Sequence, residues 1–202
     1  MEKHVVTISR EYGSGGREIG RKLAESLDVP FYDREKIDII AAGKEYSKEL
    51  IAQSEMKAKN GFLYNLSAAL GGTGFDGLGL NEKTFLAQFD AIKKIAEEGP
   101  CVIVGRCADY VLRDVPGTTN IFIYSELEKR IDRVVNEYGI PADEARGWVS
   151  ISDKARANYY HHHTGRRWGE AVNYNMSIDS GYISQDNIVK LIKEYMELKE
   201  KV

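Results

Sequence analysis

An α/β fold, a five-stranded parallel sheet with helices on both faces, is predicted by three features of the sequence. Short strand-like apolar runs at 5–8, 31–32, 101–104, 121–124 and 173–178 alternate with segments of helical period. Such alternation builds strand–helix–strand units and hence parallel pairing. The run Cys101-Val102-Ile103-Val104 is apolar throughout, as expected of a central strand covered on both faces. The chain has 202 residues, enough for one such domain with a full core, and we read 1–202 as a single domain.

The first strand, over 5–8, runs into Ser9-Arg10-Glu11-Tyr12-Gly13-Ser14-Gly15-Gly16-Arg17-Glu18, and Ile19, Leu23, Ala24 and Leu27 then recur at helical spacing. Strand, glycine turn and helix in succession make a phosphate-binding arrangement. Glycines let the backbone approach an anion, and the helix turns its free N–H groups and positive end towards it. The familiar phosphate-loop pattern is G-x-x-x-x-G-K-[ST]. With Gly15 on its last glycine, Arg10 falls on the first glycine, Gly16 on the lysine and Arg17 on the Ser/Thr. The lysine and the metal-binding hydroxyl are both missing. Arg17 is the nearest cation that could replace the lysine, and Arg10 could also reach a phosphate.

The second strand ends at Asp33-Arg34, at the carboxyl edge where open α/β sheets bind ligands. Asp33 also suits the cap of the helix that follows. Residues 35–70 read as helical with interruptions. Five glycines within 71–80 make a loop, read either as mobile or as a passive linker. Residues 81–98 form a helix, capped by Asn81, with Phe85, Leu86, Phe89, Ile92, Ile95 and Ala96 as its buried stripe. Gly105-Arg106 follow the third strand and place another arginine at the ligand edge. Helices are expected over 126–138, 143–163 and 185–200. Arg130, Arg133, Arg156, Arg166 and Arg167 fall between the fourth and last strands, and several suit pairing with exposed carboxylates.

The formal net charge of −3 indicates neither a nucleic-acid groove nor a membrane surface. No apolar run approaches the roughly 20 residues of a membrane span. Cys101 and Cys107 read as reduced thiols of a cytoplasmic protein. His161-His162-His163 point in different directions on a helix and read as solvated surface rather than a metal site.

Together these segments resemble the cytidylate kinase-like branch of the nucleoside monophosphate kinases, within the P-loop kinases. The resemblance rests on the stretch from Ile8 through the glycine loop to Gly20, on Phe31-Tyr32-Asp33-Arg34, and on Val104-Gly105-Arg106-Cys107-Ala108. It also rests on Asp153-x-x-Arg156-x-x-Tyr159-Tyr160, Thr164-Gly165-x-x-Trp168-Gly169, Asn173-Tyr174 and Asp179-Ser180. It implies a three-layer P-loop kinase fold with a monophosphate-binding insert at 35–80 and a lid at about 133–156. It implies transfer of the γ-phosphoryl of ATP, with Mg²⁺, to a nucleoside monophosphate, CMP or dCMP first. A different small acceptor, or a catalytically inactive nucleotide-binding regulator, are the alternatives. Our reading of the loop assigns Arg10, Gly13, Ser14, Gly15, Gly16, Arg17 and Glu18 to the ATP phosphates. Asp33, Arg34, Arg106, Asp153 and Arg156 fall to the acceptor, and Arg17, Arg130, Arg133 and Arg156 to the charge of the transition state. Glu18 or Asp33 is the candidate to hold Mg²⁺ through water. Cys107 stands where the family's Gly-Arg-Asp motif has its aspartate, and Val149 where an acceptor-binding arginine is found. The sequence is silent on oligomeric state.

Overall fold

The computed structural model describes residues 4–43 and 82–199. Its elements are β1 (Val5–Arg10), α1 (Gly16–Leu27), β2 (Phe31–Tyr32), α2 (Arg34–Ala41), α3 (Glu82–Glu98), β3 (Cys101–Val104) and α4 (Ala108–Val111). They continue as β4 (Thr119–Tyr124), α5 (Leu127–Asn136), α6 (Ala142–Thr164), a short 3-10 turn (Ala171–Asn173), β5 (Met176–Asp179) and α7 (Gln185–Lys199). Most of the expected insert, including the glycine-rich stretch 71–80 and the cap at Asn81, lies outside the described residues.

The five strands form one parallel sheet in the order β2-β3-β1-β4-β5. Strand alternation sorts the core into two layers. Val6 and Ile8 of β1 join Val102, Val104, Ile121, Ile123 and Ile178 beneath α1 and α7, where Ile19, Leu23, Ile188 and Ile192 complete one cluster. Val5, Cys101 and Ile103 face the other way, onto Ile37 of α2, Ile92 and Ile95 of α3, and Val111 and Leu112. Helices therefore cover both faces, as the alternation predicts. The chain leaves β1 towards β2 and β3 on one side and crosses to β4 on the other. This places a crevice at the carboxyl end of β1, where open sheets bind ligands.

The sheet differs from the expected boundaries at three strands; β4 begins at Thr119, two residues before the expected run. β1 runs on to Arg10, because Glu11 N still donates to Ile123 O. β5 starts at Met176 rather than at 173, because Asn173 belongs to the 3-10 turn, and Asn175 exchanges hydrogen bonds with Asn120 before the strand begins. On α3, Leu86 is exposed and Gln88 is buried in its stead. The histidine run is not wholly solvated: the His163 ring stacks on Phe85 at 4.0 Å and meets Tyr159 edge-on.

The hairpin of α5 and α6 has its own small core of Val134, Ile140, Ala145 and Val149, with Tyr12 and Tyr138 against it. Val149 is 1% exposed, which explains the valine: an arginine there would be driven into apolar packing. The hairpin is clamped to the loop after β1 by Arg130. This side chain is 8% exposed. It donates to Ser125 O at 3.0 Å and to Tyr12 O at 3.2 Å, lies 3.2 Å from a Glu11 carboxylate oxygen, and pairs with Asp153. The other Asp153 oxygen accepts from Tyr12 N at 2.7 Å. Gly13 fits beneath the same helix: it has φ +78°, and a Cβ there would lie 2.7 Å from Arg130 O.

Two stability measurements follow from this clamp. Arg130→Met is expected to destabilise the fold by about 3–5 kcal/mol in urea titration, because it strands the Asp153 and Glu11 charges. Gly13→Ala should cost about 2–4 kcal/mol through a left-handed φ and a backbone clash together. Gly139→Ala is the control: its φ is +72° but nothing lies within 4 Å, so a loss of only about 1–2 kcal/mol is expected.

Candidate functional site

The loop between β1 and α1 is shaped for an anion. Gly13 and Gly15 both have positive φ, which turns successive N–H groups outwards. Among the described residues, the N–H groups of Gly13, Gly15 and Gly16 donate to no protein acceptor, and no side chain caps α1. The free N–H groups and the positive end of a 12-residue helix therefore converge on one point. Ser14 is not part of that surface. It is fully buried, its hydroxyl donates to Glu11 O, and its carbonyl accepts from Ser180 Oγ at 2.6 Å.

Arg133 of α5 donates to Gly13 O at 2.8 Å, so its guanidinium borders the loop. Beside it opens a cleft of about 300 Å³ lined by Lys129, Asp132, Arg133, Asn136, Glu137 and Gly181. Tyr138 meets Tyr12 edge-on at 5.8 Å and brings its hydroxyl within 3.4 Å of Glu18. The segment expected as a lid thus rests against the loop in this structure.

Arg10 and Arg156 meet at the end of β1. Arg156 reaches from α6 to donate to Arg10 O at 2.9 Å, with its guanidinium 5.3 Å above the Tyr12 ring. Loss of hydration, and then the neighbouring Arg156 charge, hold the Arg10 guanidinium well below its ordinary pKa; burial lowers that of Arg156 too. A nearby anion would favour the charged form of both.

Arg17 points elsewhere. Its guanidinium binds the Asp33 carboxylate at 2.6 and 3.0 Å, while the other Asp33 oxygen accepts from Lys36 N and caps α2. Asp33 therefore fills the cap position expected for it and is buried besides. Both Asp33 oxygens are thus engaged, one by Arg17 and one by the start of α2. Glu18, in the first turn of α1, is the carboxylate at the mouth of the loop. Among the described residues no group of three His, Cys, Asp or Glu side chains is arranged to hold a metal.

At the carboxyl end of β3, Gly105, Arg106 and Cys107 all have positive φ, which turns the chain sharply and projects Arg106 over the sheet edge. Arg106 reaches Asp38 at 3.0 Å and lies 5.2 Å over the Tyr159 ring. Arg34 approaches the same carboxylate at 3.5 Å. Gln88 donates to Asp38 at 2.7 Å and accepts from the Tyr159 hydroxyl at 2.7 Å. Sequence reasoning found Arg34 and Arg106 but missed Asp38 and Gln88. The signal was a polar residue inside an apolar helical stripe. Cys107 is buried and its thiol is pushed well up by that burial, so it stays neutral beside Arg106.

Of the predicted residues, Arg10, Arg106, Arg133 and Arg156 gather around the glycine loop and the adjoining ends of β1 and β3, while Arg17 turns to Asp33. Arg130 and Asp153 do not join them. Each spends its polar atoms on the other and on the loop backbone, so the structure makes them the support of the site, not part of its open surface.

Comparison with known proteins agrees with this arrangement. The model of the cytidylate kinase-like family matches residues 5–182. A cytidylate kinase of Methanopyrus kandleri is 28% identical over 109 residues, which are 50% of this chain and 56% of that protein. A uronate isomerase of Corynebacterium glutamicum is 29% identical over 105 residues, 52% of this chain but 20% of that protein. The matches thus span little more than half of one curated relative and a fifth of the other. Among solved structures, an uncharacterized protein from Eubacterium ventriosum is 26% identical with a TM-score of 0.74, covering 96% of this chain and 99% of that one. The shikimate kinase of Acinetobacter baumannii, solved with shikimate, has a TM-score of 0.56 at 12% identity, covering 100% and 96%, and shows the shared P-loop kinase fold. With most of its length matched, its strand order settled and its glycine loop in place, the chain belongs to the cytidylate kinase-like family.

Proposed function

We propose that this protein transfers the γ-phosphoryl of ATP to a nucleoside monophosphate, with CMP or dCMP the first acceptors to try. One observation carries the reading: an open anion cradle at the end of β1 stands beside an arginine at the end of the adjacent β3. Phosphoryl transfer asks a protein for little else than two anions held in line and positive charge between them. The donor's phosphates occupy the Gly13, Gly15 and Gly16 N–H groups, and its nucleoside the cleft beside Arg133. The acceptor lies over Arg106 and Arg34. Arg156 supplies charge where the two meet. Closure of the far end of the α5–α6 hairpin, around Tyr138, excludes water that would otherwise compete as acceptor.

ATP brings Mg²⁺, which neutralises the phosphate charge in reactions of this class. Glu18 is the residue we assign to hold it, through water, since the usual hydroxyl is absent.

Two observations favour a second reading, the same chemistry with an acceptor other than CMP. Val149 sits in the hairpin core where the family has an acceptor-binding arginine, and Cys107 replaces an aspartate.

An ADP-release assay with ATP and Mg²⁺ against a panel of nucleoside monophosphates, with a no-acceptor control, decides between these. Turnover with CMP or dCMP supports the first reading, and selective turnover with another acceptor supports the second. ATP binding without turnover on any acceptor would instead indicate a nucleotide-binding regulator. With the active acceptor in hand, Arg106→Met is expected to raise the acceptor's KM by roughly 10- to 100-fold, the worth of a charge-assisted hydrogen bond, and to leave the KM for ATP unchanged.

A further inference from the structure

The lysine missing from the glycine loop has a substitute in an unexpected place. Gly16, at the lysine's position, has ordinary helical backbone, so its conformation would accept any residue. Space forbids one. A Cβ on Gly16 would lie 2.6 Å from Arg10 Cβ and 2.9 Å from Arg10 Cγ, the rooted end of that side chain, which cannot swing away. The Arg10 stem thus fills the volume that a side chain at 16 would need. Its guanidinium runs on across the carboxyl end of the sheet to Gly105, where a Cβ would meet Arg10 Nη1 at 2.5 Å. The head group therefore sits between the glycine loop and the turn that carries Arg106. Among the described residues it makes no hydrogen bond and no close ion pair, and its charge faces Arg156, Arg17, Asp33 and Glu18.

We infer that the cation of this phosphate loop has exchanged places with its glycine: Arg10 delivers from the end of β1 the positive charge that a lysine at position 16 would bring, and the two cannot coexist. The common pattern puts glycine first and lysine after the last glycine. Here arginine comes first and glycine stands in the lysine's place. The exchange keeps one cation beside the phosphate being transferred but brings it in from the opposite wall. It also frees Arg17 to hold Asp33 and the start of α2. A guanidinium in this seat can grip two phosphate oxygens at once, which an ammonium cannot. The inference rests on the donor reading proposed above.

Calorimetric titration of the full chain with ATP, and with AMP as a probe lacking the outer phosphates, tests it. The variants are Arg10→Met, Gly16→Lys, and Arg10→Gly combined with Gly16→Lys. Arg10→Met keeps the stem over Gly16 and removes only the charge. It should weaken ATP binding by roughly 10- to 100-fold while AMP affinity and melting temperature stay unchanged. Gly16→Lys alone should weaken ATP binding through the clash. The double variant removes Arg10 Cβ and Cγ and should recover to within about 5-fold of the parent, a difference of about one kcal/mol.

The inference is overturned if Arg10→Met binds ATP as the parent does, or if Gly16→Lys alone binds it as tightly or more tightly. It is also overturned if the double variant stays weak with a melting temperature near the parent's. Should the double variant fail to fold, Arg10→Met decides alone. A parent that binds no ATP at all refutes the donor reading itself, and this inference with it, and is told apart from the other outcomes because no variant is needed to see it.

Discussion

A guanidinium buried under the glycine loop holds the site in shape. Arg130 touches four residues in three parts of the chain: Ser125 at the end of β4, Tyr12 and Glu11 in the loop, and Asp153 on α6. Asp153 then completes the circuit by accepting from Tyr12 N. A charge this poorly hydrated survives only if its donors are satisfied and its charge is balanced, and here both conditions are met by groups that must stay where they are. The loop cannot move without leaving Arg130 unpaired. The hairpin of α5 and α6 is likewise fixed to the loop at Arg130, while its far end, around Tyr138, makes lighter contacts with Tyr12 and Glu18.

That rigidity explains the division of labour among the arginines. Those whose donors are consumed by backbone and carboxylates, Arg130 above all, hold the frame. Arg10 and Arg156 are left crowded at the end of β1 with their charges opposed. A nearby anion would favour the charged form of each. Arg106 falls between the two groups. It has a carboxylate partner in Asp38, but one that is itself shared with Gln88 and Arg34 and partly open to water.

The glycines of the loop answer to different constraints. Gly13 and Gly15 are required by their backbone conformation, which turns N–H groups outwards. Gly16 is required by its neighbours: a Cβ there would clash with the Arg10 stem and press on Ile123 at 3.2 Å. Sequence alone cannot separate these cases, since all three are simply glycine. The reading of Arg17 as the substitute cation came from its closeness in sequence to the missing lysine. In the fold, its side chain turns to Asp33, and Arg10, six residues before Gly16, is the side chain that runs across the end of the sheet to Gly105.

The sequence by itself determined the class of fold, the order of strands and helices along the chain, and the position of the glycine loop. These follow from local patterns: apolar period, glycine content and capping residues act over a few neighbouring positions. It also placed Arg106 and Asp33 at the carboxyl edge, because strand ends are visible locally. The tertiary structure alone decided which charges face one another. The Arg130–Asp153 pair spans 23 residues, Arg106–Asp38 spans 68 and Arg156–Arg10 spans 146. Nothing in the local pattern distinguishes an arginine that braces the loop from one left free to meet a phosphate. Gln88 and Val149 make the same point from the core side, each set by what the fold packs against it. Ion pairing depends on distance in space, and distance in space between remote residues is set only when the sheet and its helices have packed.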